Sequence, residues 1–357
     1  MSDTPFEVVK VTAVEAHPRA DRLEVVKVLG TQFISGIGDF VPGDLCIYFP
    51  PDMLIPETTG KYLGVASYLK HSVYPGDLDK TRCRIGAIRL RGVPSFGFGI
   101  MPLRQLLLDN LTEGEDLTSF FKGEKYQPPD SLGGGDSLRQ PGAFHKYTSI
   151  QHYYRYSNEI PVGTLVRITE KIHGTNSRLG LVKDDGFEFM CGTHHRRVML
   201  ECKGRASLYW TPLTDNMREM LYFISSCGLQ ERNVIVFGEI YGNKVMPMDY
   251  GCPKGKGYRV FDISVNGEYI DWHDVKCYCV MFDIGMAPLL YEGPFSPELV
   301  EKYAVGPTNL AEPGKIKCSF KGREGIVITP LTEDYSEALQ GRLILKAVSP
   351  DYYEAMG

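Results

Sequence analysis

The sequence predicts an α+β protein: a small β-barrel followed by a larger body of antiparallel sheets with helices. Three observations carry this. The chain has 357 residues, 43% hydrophobic and 23% charged, an ordinary globular balance and enough length for two domains. One composition break divides it: Gln127, Pro128, Pro129, Asp130, Ser131, Leu132, Gly133, Gly134, Gly135, Asp136 and Ser137 read as a linker. Finally, the part before the break alternates apolar and polar residues between closely spaced turns, whereas the part after it mixes strand and helix periods. The expected domains are 1–125, a linker at 126–145, and 146–357.

In the first part, residues 6–14, 23–29 and 45–49 alternate as strands, punctuated by Gly36, Gly38, Pro42-Gly43 and Pro50-Pro51. Short strands with close turns suit a small barrel. Residues 103–108 read as a short helix. In the second part, residues 165–169 alternate as a strand. Residues 178–182 and 187–191 flank Asp184-Asp185-Gly186, and residues 258–265 and 268–270 flank Asn266-Gly267, so each pair predicts a hairpin. Residues 234–240 form a β-branched apolar run, and 326–329 and 343–348 read as further strands. Helices are expected at 215–227, where Met217, Met220, Leu221 and Ile224 share a face, and at 272–282, 296–303 and 333–339.

Lys and Arg total 39 against 44 Asp and Glu, a net charge of −5. That excludes a wholesale polycation held to nucleic acid by bulk charge, and leaves room for a local basic patch. No stretch has the roughly 20 apolar residues of a membrane span, and the amino terminus has no secretory apolar core. Nine cysteines without a framework pattern point to reduced thiols in a cytoplasmic or other reducing compartment.

Four segments place charges at the margins of apolar strands. Glu170-Lys171-Ile172-His173-Gly174-Thr175-Asn176 ends one strand with a lysine and a glycine turn. Phe237-Gly238-Glu239-Ile240-Tyr241-Gly242 sets a carboxylate between glycines. Arg323-Glu324-Gly325 opens a strand with a carboxylate, and Leu343-Ile344-Leu345-Lys346 closes one with a lysine. Each alone reads equally as a solvated charge. Together they suit a nucleotide: lysines neutralise phosphate, one carboxylate accepts from ribose, and another holds a hard divalent metal. Neighbouring cations, Lys346 and such a metal, would disfavour the ammonium form of Lys171.

In this order, Lys171-x-His173-Gly174-x-Asn176, Glu239-x-Tyr241-Gly242, Glu324-Gly325 and Lys346 resemble the covalent nucleotidyltransferases, which include ATP-dependent DNA and RNA ligases and mRNA capping enzymes. The His-Gly-x-Asn form resembles the RNA ligases. The resemblance spans about residues 145–357 and implies a nucleotidyltransferase domain using ATP and Mg2+ or Mn2+. It implies that Lys171 attacks the α-phosphate to form lysyl–AMP, that Glu170 lies beside the adenine, and that Asn176 positions the nucleotide. Arg196 or Arg197 would contact ribose or phosphate, Glu239 would bind the ribose, and Phe261 would stack on the adenine. Glu324 would serve the metal and Lys346 the AMP phosphate. One departure stands out: RNA ligases often carry a second lysine where this chain has Ile344, with Arg342 as a possible substitute. Eleven residues follow Lys346, too few for a carboxy-terminal OB domain, so the accessory module is expected at the amino terminus.

There, Ala16-His17-Pro18-Arg19-Ala20-Asp21-Arg22-Leu23 and Arg89-Leu90-Arg91-Gly92-Val93-Pro94-Ser95-Phe96-Gly97 resemble the two signatures of tRNA-binding OB modules. Residues 80–108 hold Lys80, Arg82, Arg84, Arg89, Arg91 and Arg104 and no acid. With Phe96 and Phe98 they suit a phosphate backbone and stacked bases, although the two rings serve equally well as core. Arg82, Arg84, Arg89 and Arg91 are the expected nucleic-acid contacts. Cys277-Tyr278-Cys279 and the His194-His195 pair lack metal spacing. Gly251-Cys252-Pro253-Lys254-Gly255-Lys256-Gly257 is a basic loop without the P-loop pattern.

The expected function is ATP-dependent RNA ligation, joining 3′-OH to 5′-phosphate ends in nicked duplex or folded RNA, with no membrane and no obligate protein partner. The rivals are a capping-type guanylyltransferase or DNA ligase, and an RNA-binding protein with an inactive nucleotidyltransferase domain.

Overall fold

The alternating stretch at residues 6–14 folds as two short strands, Glu7–Lys10 and Ala13–Ala16. A computed structural model describes residues 5–71, 82–101, 111–126, 136–228, 230–252 and 254–356. It divides into two units, Met1–Leu132 with Tyr353–Gly357, and Gly133–Tyr352. The expected helix at 103–108 lies outside the described residues, as do Lys80 and Arg104.

In the first unit, Glu7–Lys10, Leu45–Phe49 and Phe98–Ile100 form one antiparallel sheet, and Ala13–Ala16, Leu23–Val28 and Thr31–Gly36 form another. Their inward residues feed two apolar clusters, one around Phe6, Ile47, Phe49 and Phe121, the other around Val26, Phe33, Phe40 and Tyr48. The hairpin joining Ala87–Leu90 to Val93–Phe96 turns at Arg91-Gly92, both at positive φ (46° and 85°). That turn matches the right-handed twist of the strands it joins.

The second unit is built on two sheets. A seven-stranded sheet runs in the order Ser137–Leu138, Arg197–Val198, Phe187–Thr193, Thr175–Lys183, Val234–Gly242, Lys256–Val265 and Glu268–Tyr269. A five-stranded sheet runs in the order Gln151–His152, Leu345–Val348, Gly325–Pro330, Leu165–Lys171 and Leu289–Pro294. Three apolar layers hold them. Helices Asp215–Ser226 and Trp272–Met281 pack on the seven-stranded sheet, burying Met217, Met220, Leu221 and Ile224 as the 3.6-residue spacing requires. Thr214 caps the first of these helices, its hydroxyl accepting from the Met217 N–H. Helix Pro297–Ala304 covers the five-stranded sheet. Between the sheets, Phe144, Tyr147, Ile235 and Phe237 meet Ile344 and Val327.

Two sequence expectations change. The described end of the expected linker, residues 136–145, packs on the second unit: Ser137–Leu138 pairs with Arg197–Val198, and Phe144 is fully buried. Arg178 causes this. Wholly buried, it donates to the Phe144 and His145 carbonyls and to Gln140 Oε1. Residues 333–339 are not a helix. Asp334 accepts from the Tyr335 N–H, and Tyr335–Ser336 then pairs with Gly341–Arg342 as a small hairpin. The local side-chain bond offers the backbone an alternative to the helix. No helix among the described residues is long and apolar enough to cross a membrane.

Candidate functional site

The chain crosses from one sheet to the other within the segment that carries the predicted nucleophile. Strand Leu165–Lys171 is a buried β-branched run of the five-stranded sheet, and Thr175–Lys183 belongs to the seven-stranded sheet. Lys171, Glu324 and Lys346 therefore come from one sheet, and Asn176, Glu239 and Phe261 from the other. Two glycines allow the close approach. A Cβ at Gly174 would sit 2.3 Å from the Ile240 carbonyl oxygen, and one at Gly325 would sit 2.2 Å from that of Ala347.

Register brings the motifs together. Lys171 lies opposite Gly325, and Asn176 lies opposite Glu239. Lys171 Nζ donates to Glu324 Oε1 at 2.6 Å. Burial works against the ammonium charge, but the Glu324 and Glu239 carboxylates outweigh it, so the Lys171 pKa stands above its ordinary value. The sequence expectation was the reverse, with neighbouring cations disfavouring the ammonium. The nearest partner is an anion, Glu324, and Lys171 is held protonated. Burial raises the Glu239 carboxyl to about 8, against the opposing pull of Lys171, with Glu324 adding to the rise.

His173 is fixed at both ends. Its backbone N–H donates to the Tyr250 hydroxyl, and its Nδ1 lies 2.7 Å from the Tyr352 hydroxyl. Burial lowers its pKa, keeping the ring neutral. Around this pair, His173 Nε2, Asn176 Oδ1 and Glu324 Oε2 are buried without a hydrogen-bond partner. Buried polar atoms left unsatisfied cost about 1–3 kcal/mol each, and finding them on three motif residues suits a polar ligand. Among the described residues no three His, Cys, Asp or Glu side chains form a ready metal cage. The donors fit a hard cation shared between a carboxylate and substrate phosphates.

Phe261 is the extra residue of a β-bulge: Phe237 pairs with Asp262 and Gly238 with Val260. A bulge re-aims a side chain, and the half-buried ring lies edge-on to Tyr147 at 4.9 Å. Lys346 lies opposite Val327, half-buried, beside His152, whose pKa is lowered to about 3 by burial and by the Lys346 charge.

Other predicted residues are engaged elsewhere. The Glu170 carboxylate accepts from the Thr308 hydroxyl and from the Asn309 N–H at 2.7 Å. It latches a loop that Arg323 also binds through the Tyr303 and Pro307 carbonyls. Glu170→Ala is expected to cost about 1–3 kcal/mol and to speed amide exchange at Asn309 and Leu310; unchanged exchange there would refute the latch. Arg197 is buried against Glu188 at 2.7 Å, and Arg196 lies half-buried 3.4 Å from Asp136. Arg342 is no substitute for the lysine absent at Ile344. Its guanidinium is bound by Asp262 and Glu333, and Ile344 itself is core. Tyr250, Tyr352, Thr308 and Asn309 carry no motif and were invisible in the sequence.

In the amino-terminal unit, Arg82 pairs with Glu124 at 2.7 Å. Arg84 pairs with Asp52 and lies 3.9 Å over the Tyr126 ring. Arg89 and Arg91 are exposed at the hairpin turn. Phe96 is buried, and Phe98 stacks on Phe49 at 4.6 Å as core. His17 joins the two signature segments, its Nε2 lying 3.1 Å from the Leu90 carbonyl oxygen.

Comparison with known proteins agrees with this geometry. A family model described as RNA ligase matches residues 164–348, more than half of the chain, and an OB-fold domain model matches residues 6–103. An RNA ligase from Naegleria gruberi, solved with pyrophosphate, aligns at TM-score 0.70 and 22% identity over 98% of each chain. A variant of that ligase with ATP and manganese aligns at 0.68, again at 22% identity, over 98% of this chain and 96% of its own. An apo variant reaches 0.72 at the same identity, over 100% and 99%. No curated protein sequence matches.

Proposed function

Because the chain belongs to the RNA ligase family, we propose that it seals breaks in duplex or folded RNA with ATP, through a lysyl–AMP intermediate. The observation that carries this is the Lys171–Glu324 pair, together with His173 Nε2, Asn176 Oδ1 and Glu324 Oε2 of the same motifs, buried without hydrogen-bond partners. A lysine on a rigid strand beside unpartnered polar atoms suits a nucleophile that attacks a bound nucleotide. The likeness to a ligase found with ATP and manganese supports the choice of nucleotide and metal.

Once its ammonium proton has left, Lys171 Nζ attacks the α-phosphorus. A P–N bond forms, the bond to the bridging oxygen breaks, and pyrophosphate departs. The adenylate then passes to the RNA 5′-phosphate, which frees Lys171. The 3′-OH attacks that phosphate and releases AMP. Lys346 would neutralise the AMP phosphate, Glu239 would bind the ribose, Asn176 would orient the phosphates, and Phe261 would stack on the base. Phosphoryl transfer needs this positioning and charge neutralisation more than further covalent chemistry. A divalent metal, Mg2+ or Mn2+, would supply charge neutralisation on the phosphates, held by Glu324 with phosphate oxygens. Arg89 and Arg91, unlike Arg82 and Arg84, are exposed and suit contact with the RNA backbone. Glu170 would act through its loop latch beside the base. Nine free thiols suit a reducing compartment.

Nicked duplexes with RNA or DNA on each side, offered with ATP or GTP, test the reading. Sealing is expected with ATP at a nick flanked by RNA. Sealing with GTP alone, or only of an all-DNA nick, would overturn it.

A further inference from the structure

The basic loop that the sequence left without a role lines a cavity of about 870 Å³ in the second unit. Lys244 lies just beyond the strand that carries Glu239, and Lys254 and Lys256 lead into the strand that carries Phe261. All three lysines are exposed and line this cavity. Among the described residues none of them has a carboxylate within ion-pair distance. Two acids, Asp215 and Asp283, also line it, and neither pairs with a lysine. Asp215 opens helix Asp215–Ser226, where a negative charge favours the helix terminus. Asn216 and Asn243 supply side-chain amides to the lining, and Gly255 leaves open space where a Cβ would stand.

The cavity is distinct from the nucleotide site. Tyr258 lines it and belongs to the helix-covered face of the seven-stranded sheet, packed against the core that includes Met217. Phe261 belongs to the opposite layer, between the sheets. Three ammonium groups around one opening repel each other unless an anion lies among them, and amide donors with bare backbone suit phosphate oxygens.

We propose that this cavity binds the phosphodiester backbone of the RNA, holding the strand at a second place away from the reacting ends. The proposal rests on the RNA ligase reading. A polyanion fits better than a free phosphate, because the lysines stand exposed at the two ends of the one connection between strands Val234–Gly242 and Lys256–Val265 rather than buried in a cradle.

The test is the triple variant Lys244→Gln, Lys254→Gln, Lys256→Gln, assayed with a nicked RNA duplex over a salt series. Labelling from ATP in the absence of RNA should match the parent. The slope of log affinity against log salt should fall by about two to three, at roughly 0.7–0.9 for each phosphate that a lysine no longer neutralises. Sealing at low RNA concentration should fall with it. A slope equal to that of the parent overturns the proposal. So does an unchanged slope with lost binding of inorganic pyrophosphate, which would assign the cavity to a small anion. Failure of the RNA ligase reading would show separately, as a parent protein that does not seal RNA.

Discussion

Lys171→Arg is expected to take up no AMP from ATP labelled at the α-phosphate, although it keeps a cation beside Glu324. Labelling should fall about a thousandfold or more, the loss expected when the attacking amine is replaced by a guanidinium that stays protonated. Arginine is the informative substitution because it separates chemistry from charge. Lys171→Ala would also go unlabelled, but it would strip the partner from Glu324, whose side chain is only 11% exposed, so lost activity could be blamed on a disturbed site. The arginine variant should melt close to the parent. In the parent, the Glu324 and Glu239 carboxylates hold the Lys171 proton beyond its ordinary range, against the effect of burial. Only the amine attacks, so label formation should climb as pH rises through neutrality. Labelling of Lys171→Arg at the parent rate would move the nucleophile elsewhere.

The two lysines and the two carboxylates stood out because each sits at the margin of an apolar strand, a pattern set by local sequence, whereas Asn176 came only with the family resemblance. The partners of the motif residues did not stand out. Thr308, 138 residues from Glu170, and Tyr352, 179 residues from His173, meet them only after both sheets have formed. Phe261 was legible as a ring on a strand, but the bulge that aims it depends on the register against Phe237 and Gly238. Turns divide in the same way. Asn266-Gly267 announces a hairpin by residue type. Leu29-Gly30 makes a similar turn, φ 46° and 66°, with a leucine that no turn preference would select. Arg82 and Arg84 each carry an acidic partner, Glu124 and Asp52, that counting charges along the sequence does not reveal.

The same blindness hid the feature with the largest expected effect on stability. Asp262→Ala should destabilise the second unit by about 3–5 kcal/mol, the cost of leaving buried charges without their counter-ion. The Asp262 carboxylate, 1% exposed, accepts from Arg167 at 2.6 Å and from Arg342 at 2.7 and 3.0 Å. It ties the five-stranded sheet to the seven-stranded one, one residue from Phe261. Arg167 also lies 4.2 Å over the Trp272 ring, and Arg342 lies 4.2 Å over Tyr269. Burial alone would raise the Asp262 pKa, but the two arginines hold it at about 2, below the ordinary 3.8. A depressed carboxyl adds stability above its unfolded pKa and loses it as pH falls through the folded one. This contribution, on the order of 2 kcal/mol, should therefore be complete above about pH 4 and fade towards pH 2. Urea unfolding of parent and Asp262→Asn across that range checks the sign: the gap between them should be widest near neutrality and close in acid. A gap that widens in acid, or an alanine variant within about 1 kcal/mol of the parent, would mean that apolar packing alone joins the sheets.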